Sequence, residues 1–394
     1  MDKSLRWDYE CCHFKSCPKL TMKQERKVWL RWKKKNSYSI AALMALVDAQ
    51  LTSEPQPGIM LYSFATAQAA EVYREVHAAR EMAVYVAGGP HPSALPEEAL
   101  QYFDYVVIGE AEETLPELIH AILEGHPADN VRGIAYKRDG ETICTAERPA
   151  VDLDRYPPFT GRVLAPIEIS RGCPWSCAFC QTPRLFGSRM RHRSIDVIAR
   201  FTRCHKDVRF TSPNSLAYGS DGIRPRLDKV EALLRRLVET KKPIYFGTFP
   251  SEVRPEFVSH QALGLIASYC ANRTLCIGAQ SGSPAVLKAI GRGHGVEHVK
   301  EACDLCREWG LVPRVDLIFG LPMESREDQL LTLELAEWIA AKGGKVRAHL
   351  FTPLPGTPLA GARPAPVHEV ASELGRLALE GKLTGSWAAR GRTS

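Results

Sequence analysis

The sequence predicts an α/β protein in two parts: a reduced Rossmann- or flavodoxin-like parallel sheet, followed by a partial (β/α)6 barrel of the TIM type. Three observations predict it. Short apolar runs alternate with stretches of helical spacing along most of the chain, as parallel strands require when each crossover is a helix. Several of the apolar runs end in glycine, as at Gly88, Gly89, Gly109 and Gly320, which marks the carboxyl ends of strands where open α/β sheets bind ligands. A length of 394 residues suits two units, or one large barrel with an appendage.

In the first part, "KVWLRW", "GIMLYSF", "AVYVAGGPHP" and "YVVIGE" read as strands. "SIAALMALVDAQ", "TAQAAEVYREVHAARE" and "EETLPELIHAIL" read as the helices that follow. The first helix runs almost directly into "GIMLYSF", so a strand–helix unit is expected to be missing. In the order 2-1-3-4-5 the second strand is an edge, and its loss leaves the crevice between strands one and three. The stretch "GIAYKRDGETICTAERPAVDLDRYPPF" reads as a hairpin and a proline-bearing linker. The second part has six strand-like runs: "APIEIS", "DVRFTSP", "PIYFGTF", "TLCIGAQSGS", "VPRVDLIFGLP" and "KVRAHLFTP". Amphipathic stretches such as "LDKVEALLRRLVET" separate them. The expected divisions are an extension over 1–26 that lacks order, a Rossmann domain over 27–126, a hairpin and linker over 127–160, a barrel over 161–360, and a closing helix and tail over 361–394.

Composition excludes several classes. No run of about eighteen apolar residues exists to span a membrane, and the first residues lack the apolar core of a signal peptide. A cytoplasmic protein is expected. The net charge of +6 comes from 51 basic and 45 acidic residues that are interspersed, and the run "RWKKK" at 31–35 reads as a solvated face, so nucleic acid is not an expected partner. Twelve cysteines in a long chain that is not exported point to metal or redox chemistry rather than to a disulfide framework.

That chemistry centres on "GCPWSCAFCQTP", where Cys173, Cys177 and Cys180 stand in a C-x3-C-x2-C frame just after the first barrel strand. Structural zinc is closed by four ligands, and ferredoxin-type clusters use four cysteines. Three thiolates without a neighbouring fourth suit an iron–sulfur cubane with one iron left open, and a structural metal knuckle is the alternative. Cys204, the next cysteine, follows the first barrel helix and is not expected to be a ligand. Cys303 and Cys306, one turn apart on a helix, read as core. Cys11, Cys12 and Cys17 leave open a second metal site, and Met22 an alternative start.

With Phe179 placed just before the third cysteine, the motif resembles that of the radical SAM superfamily. The resemblance implies a [4Fe–4S] cluster on Cys173, Cys177 and Cys180, with the amino and carboxylate groups of S-adenosylmethionine (SAM) on the open iron. It further implies one-electron cleavage of SAM to a 5′-deoxyadenosyl radical, with electrons from a donor such as ferredoxin or flavodoxin. "IGAQSGS" and "GLP" sit where the family holds SAM, which makes Gln280, Ser281 and Ser283 candidates for ribose and carboxylate contacts and Leu321 a candidate beside the adenine. The family's Gly-Gly-Glu element is replaced by "TSPNSLAYGSDG", in which Ser212 and Asn214 are candidates for the SAM amino group. Arg189, Arg191 and Arg193 suit a carboxylate or an anionic substrate, with a solvated rim as the alternative; Tyr218 suits a substrate or plain packing.

"VAGGPHPSALPEEAL" and "YVVIGEAEETLPELI" resemble the strand ends of the cobalamin-binding domain that precedes the barrel in one radical SAM subclass. The resemblance implies cobalamin near Gly88, Gly89, His91, Gly109 and Glu110, and methylation of an unactivated carbon in a small-molecule or peptide substrate. No D-x-H-x-x-G is present, so no histidine is expected to ligate cobalt from below. The alternatives are a methylthiotransferase, which "CQTPRLFGSRMRHRS" also resembles but whose own cysteine triplet the first domain lacks, a cobalamin-independent radical SAM enzyme, and an electron-transfer protein.

Overall fold

A computed structural model describes residues 27–387. The expectations about Cys11, Cys12, Cys17 and Met22 lie outside the described residues. The first sheet contains β1 (Val28–Arg31), β2 (Gln50–Thr52), β3 (Gly58–Ser63), β4 (Ala83–Gly88), β5 (Tyr105–Val107), β6 (Ile134–Arg138) and β7 (Glu141–Cys144) in the order β2-β1-β3-β4-β5-β6-β7. β2 through β5 pair in parallel and β6 and β7 antiparallel. Alternate residues face opposite layers. Leu30, Ile59, Leu61, Val86 and Val107 pack with Leu115, Leu118 and Ile119 of helix Thr114–Glu124. Met60, Tyr62, Tyr85 and Val106 pack against Val72, Tyr73 and Val76 of helix Ala69–Ala78. Burial on both faces is why β3 and β4 read as continuous apolar runs.

The structure corrects the expected loss of a strand. β2 is present and pairs with β1 from Trp29↔Gln50 to Arg31↔Thr52. What is missing is the helix after it, replaced by the loop at 53–57. β2 escaped notice because "QLT" at an exposed edge needs no apolar run. The hairpin expected as part of a linker instead extends the sheet, since β6 pairs with β5.

The second part contains β8 (Ile167–Glu168), β9 (Ser170–Arg171), β10 (Arg191–His192), β11 (Val208–Thr211), β12 (Ile244–Tyr245), β13 (Thr274–Gln280), β14 (Val312–Phe319), β15 (Lys345–Leu350) and β16 (Leu383–Ser386). Two parallel arcs, β12-β11-β8 and β13-β14-β15-β16, are joined by the bridge Val253↔Ile277 and by the Cys276 amide, which donates to the Gly247 carbonyl at 2.8 Å. The six expected strands are β8, β11, β12, β13, β14 and β15. β16 is a seventh, formed from residues expected to be a polar tail; its sequence "LTGS" lies mostly exposed at the edge. Helices wrap the outside, and several start on a side-chain cap. At Arg326–Ala341, for example, the Ser325 hydroxyl accepts from the Asp328 amide and the Asp328 carboxylate accepts from the Ser325 amide.

A buried ionic seam joins the two parts. Arg171 of β9 reaches Glu168 at 2.8 Å, Glu112 at 2.7 Å and Glu110 at 3.5 Å. Arg191 of β10 donates to both Glu110 carboxylate oxygens and, at 2.7 Å, to the Val151 carbonyl. Arg193 donates to the carbonyls of Leu153 and Tyr156. Burial alone would raise the Glu168 carboxyl, but Arg171 and Arg193 hold it below its ordinary value. Removing one partner of such a cluster strands the others. Arg171→Met is therefore expected to lower unfolding stability by about 3–5 kcal/mol, measured by chemical denaturation; a loss under about 1 kcal/mol would show that the seam is not structural.

Candidate active site

The cysteine loop leaves β9 through Gly172, whose φ of +85° only glycine adopts without strain; a Cβ there would also stand 2.3 Å from the Arg189 carbonyl oxygen. The Cys173 amide donates to the Gly187 carbonyl at 3.2 Å, the Cys180 amide to the Cys177 carbonyl at 3.0 Å, and the Ala178 amide to the Ile290 carbonyl at 2.9 Å. The loop is thus held by the carboxyl-end loops on both sides of it. All three thiols are free, with Cys177 buried and the other two half-buried. Burial, and then the neighbouring Cys180 and Cys177, raise the Cys173 thiol.

The donor set fits a cubane. Sulfurs on one zinc ion crowd to within about 4 Å of one another. Among the described residues no three His, Cys, Asp or Glu side chains converge in that way. A cubane binds each thiolate at a separate iron, so three spaced thiols on one loop suit it.

The barrel part holds several buried polar atoms that no protein group satisfies, which is rare in a native structure. Both amide atoms of Asn214, the Thr248 hydroxyl, Arg254 Nη2 and Arg292 Nε are in this state. Arg292 Nη1 lies 3.5 Å from Cys177 Sγ, and its Nη2 donates to the Gly278 carbonyl at 2.6 Å. The Arg254 guanidinium stacks 3.9 Å over the Trp175 ring and donates to Glu256 at 2.5 Å. Glu256 in turn lies 3.1 Å from His294, whose other ring nitrogen donates to the Ala279 carbonyl at 3.0 Å. A SAM molecule carries amino, carboxylate, hydroxyl and adenine groups, the partners that such unmet donors and acceptors require.

Inside the barrel, alternation along β13, β14 and β15 turns Gly278 and Gln280, Asp316 and Ile318, and Arg347 and His349 toward the lumen. Gln280 has φ +80° at a bulge opposite β14, a conformation rare outside glycine and frequent at functional sites. A Cβ at Gly278 would lie 2.9 Å from Gln280 Nε2 and 3.0 Å from Glu252 Oε2, so glycine here lets those groups close over the strand. Arg347 donates to Asp316 at 2.6 Å through Nε and to Glu252 at 2.9 Å through Nη2. Burial, and then contact with Asp316, push the Glu252 carboxyl well above its ordinary range. These groups line a cleft of about 310 Å³ together with Phe179, His349 and Phe351.

The residues proposed from sequence divide accordingly. Phe179 and Gln280 line the cleft, and Asn214 presents its unmet amide. Ser212 accepts from the Asn214 amide and so shapes that turn. Ser281 and Ser283 are engaged within the fold. The Ser281 hydroxyl bonds Thr332 at 3.1 Å and accepts from the Ser283 amide, while Ser283 caps the helix Pro284–Ala289 and bonds Asp328 at 2.5 Å; both hydroxyls are spent on the fold. The Leu321 side chain is fully enclosed with Val286, Leu287, Ile290 and Phe351. Arg191 and Arg193 belong to the seam, and the Tyr218 hydroxyl is buried, donating to the Arg193 carbonyl at 2.7 Å. Cys303 and Cys306 are helix core. Sequence reasoning missed Glu252, Arg254, Arg292, Asp316 and Arg347. The available signal was charge inside apolar parallel strands, at Asp316 and Arg347, and charge next to strand ends for the rest.

In the first domain, Gly88 and Gly89 close β4 and Gly109 follows β5 at the carboxyl edge, where a Cβ at Gly109 would stand 3.9 Å from the Leu185 carbonyl oxygen. Gln181, next to Cys180, donates to the Pro355 carbonyl at 2.8 Å and reaches the Pro90 carbonyl at 3.5 Å. Two residues expected at a cobalamin are committed elsewhere. His91 is buried, with Nδ1 3.2 Å from Thr66 and Nε2 3.1 Å from Tyr73, and Glu110 is a hub of the seam. A corrin at this edge would meet glycine backbone and receive no ligand from His91, which suits the bare strand ends.

Residues 167–336 match the model of the radical SAM superfamily, and residues 47–119 match that of the B12 binding domain. The barrel thus carries a radical SAM domain, and the sheet ahead of it a B12-binding domain. It is 27% identical over 291 residues to an uncharacterized methyltransferase of Pyrococcus horikoshii, covering 70% of this chain and 61% of that one. It is 27% identical over 211 residues to the threonylcarbamoyladenosine tRNA methylthiotransferase MtaB of Thermotoga maritima, covering 51% of this chain and 46% of that one. The fold matches the radical S-adenosylmethionine methyltransferase TsrM of Kitasatospora setae, solved with cobalamin and a [4Fe–4S] cluster, at a TM-score of 0.65 and 18% identity over 89% of this chain and 78% of that one. The chain thus spans about three fifths of the length of the first curated relatives it matches, 61% and 62%. Among the described residues no helix is long and apolar enough to cross a membrane.

One buried acid at the strand ends sets a pH dependence. Glu324 Oε2 accepts from the amides of Gly320 at 2.6 Å and Leu321 at 3.1 Å, while Oε1 is buried without a partner. Burial pushes this carboxyl up to about 7. A carboxyl raised from 4.5 holds its proton more tightly when folded, so its stabilisation is present below 4.5 and is lost as pH rises through about 7. Glu324→Gln keeps an acceptor for both amides and removes the titration. Its stability is expected to change less than the wild type's between pH 4.5 and 7, by a difference of order 3 kcal/mol; denaturation across pH measures this, and superimposable slopes would assign the titration elsewhere.

Proposed function

We propose that this chain is a cobalamin-dependent radical SAM methyltransferase acting on an unactivated carbon. The observation that carries the reading is the placement of one three-cysteine loop between a polar lumen and the glycine-ended edge of a B12-type sheet. When bound, the cluster would supply an electron for cleaving SAM, and the corrin a transferable methyl group. The protein's own share is position. Cys173, Cys177 and Cys180 would hold the cluster. Arg292, which lies beside Cys177 through Nη1 and has an unmet Nε, suits the SAM carboxylate, and the unmet amide of Asn214 suits its amino group. Gln280, Asp316 and Glu252 suit the ribose hydroxyls, and Phe179 and Phe351 give the cleft apolar walls. The seam keeps the two faces opposed and limits water between them.

The substrate would be a small molecule or peptide that enters beside His349 and Phe351. The reading places the enzyme in the cytoplasm, where thiols stay reduced and a ferredoxin or flavodoxin is available. Methylthio transfer is the alternative, supported by the likeness to MtaB; it would draw on a second cysteine set, and among the described residues the first domain offers the exposed Cys144.

Anaerobic reconstitution with iron and sulfide is expected to give about four irons per chain, and Cys177→Ala about half of that or less. SAM should alter the electron paramagnetic resonance of the reduced cluster. Arg292→Gln should keep the iron yet weaken SAM binding about 10- to 100-fold, the worth of a charged hydrogen bond. A cluster spectrum indifferent to SAM would overturn the reading.

A further inference from the structure

Two short segments interlock beside the three-cysteine loop. One runs from Val253 to Phe257 and brings Arg254 and Glu256; the other runs from Arg292 to His294. Trp175 stands between Cys173 and Cys177 in the chain, and the Arg254 guanidinium lies 3.9 Å over its ring. Glu256 accepts from Arg254 Nε at 2.5 Å and lies 3.1 Å from His294, whose Nε2 bonds the Ala279 carbonyl of β13. The Trp175 ring is held from two further directions. Its indole N–H donates to the Gly222 carbonyl at 2.9 Å, and a Cβ at Gly293 would stand 2.2 Å from the ring. Only glycine at 293 leaves the ring in place.

Packing alone does not account for Arg254. The residue is 6% exposed, and its Nη2 is buried without a partner. A buried charge is costly unless its surroundings balance it, and Glu256 meets only one edge of the guanidinium. Burial and then Arg292 lower the guanidinium from its ordinary value, while Glu256 and Cys177 oppose them. At the other end of the loop, burial raises the Cys173 thiol, and the Trp175 amide and the Arg254 charge oppose it. One side chain thus acts on two of the three cysteine sulfurs. Arg292 Nη1, 3.5 Å from Cys177 Sγ, adds a second cation.

We propose that Arg254 is a positioning residue for the cluster: clamped on Trp175 and oriented by Glu256, it holds a positive charge against the cysteine loop and so raises the cluster's reduction potential. The inference rests on the reading above, because it needs a cluster on Cys173, Cys177 and Cys180. A cubane on three thiolates is already anionic, and the electron that it takes up adds negative charge. A fixed cation in a poorly hydrated site therefore stabilises the reduced form more than the oxidised one. Glu256 acts on the same couple with the opposite sign. Replacing each of the two is thus expected to move the potential in opposite senses, which a change in loop shape alone would not do.

The test is the midpoint potential of the reconstituted full chain without SAM, read by electron paramagnetic resonance during a reductive titration with low-potential viologen mediators. Arg254→Gln is expected to shift the reduction equilibrium about tenfold toward the oxidised cluster, which is about 59 mV for a one-electron couple. Arg254→Lys keeps the charge and should recover most of that shift. Glu256→Gln removes the opposing charge and should raise the potential. Wild-type potentials in both glutamine variants would overturn the inference, and so would a fall in both, which would trace the effect to loop geometry. If Arg254→Gln loses its iron, the sign of the Glu256→Gln shift decides alone. A wild-type potential in Arg254→Gln together with weakened SAM binding would make Arg254 a SAM contact instead. Failure of the wild type to hold iron would overturn the cluster reading and this inference with it.

Discussion

The ionic seam is the interaction on which the rest of the architecture depends. Arg171 stands two residues before Cys173, and Glu110 directly follows Gly109 at the end of β5. Their contact, with Glu112, Glu168 and Arg191, ties the strand that launches the cysteine loop to the edge that ends in glycine. Parallel sheets bring all their carboxyl ends to one face. Two such faces cooperate only if they are opposed and held, and buried charge gives that contact a single geometry. An apolar seam of the same size would tolerate sliding; five charged groups in mutual contact do not.

Within the barrel the same economy of placement recurs. The lumen is polar where the strands end and apolar where they pack on helices. Gly278 and Gln280 show how closely the backbone is shaped to this: one residue is bare so that Glu252 and Gln280 can close, and the other is held at positive φ. Arg347 bonds both Asp316 and Glu252, and the raised Glu252 carboxyl lets two acids share a small cleft. The unmet atoms of Asn214, Thr248, Arg254 and Arg292 are costly to bury alone. Arg254 and Arg292 stand against the cysteine loop, over Trp175 and beside Cys177, which ties that cost to a polar ligand there.

Much of this was legible in the sequence, and for stated reasons. Both sheets and the cysteine loop follow from apolar periodicity, glycine at strand ends and the C-x3-C-x2-C spacing. β2 and β16 escaped because short edge strands need no apolar pattern. Position alone could not show the partners of the strand-end serines: Ser281 and Ser283 bond Thr332 and Asp328, which lie some fifty residues away in the chain and adjacent in space. The partners of His91 and Glu110 were hidden for the same reason, each lying across the fold. Arg254, Arg292 and Arg347 could not be chosen from among the chain's many basic residues until their neighbours were known.

The central claim is that cluster and corrin share the space between the two opposed faces. The most direct measurement is anaerobic reconstitution with iron, sulfide and hydroxocobalamin, followed by desalting, iron analysis and an absorption spectrum. The account predicts corrin bands that stay with the protein alongside about four irons per chain. Iron retained without corrin would contradict it, leaving the barrel's chemistry in place and the first domain in need of another role.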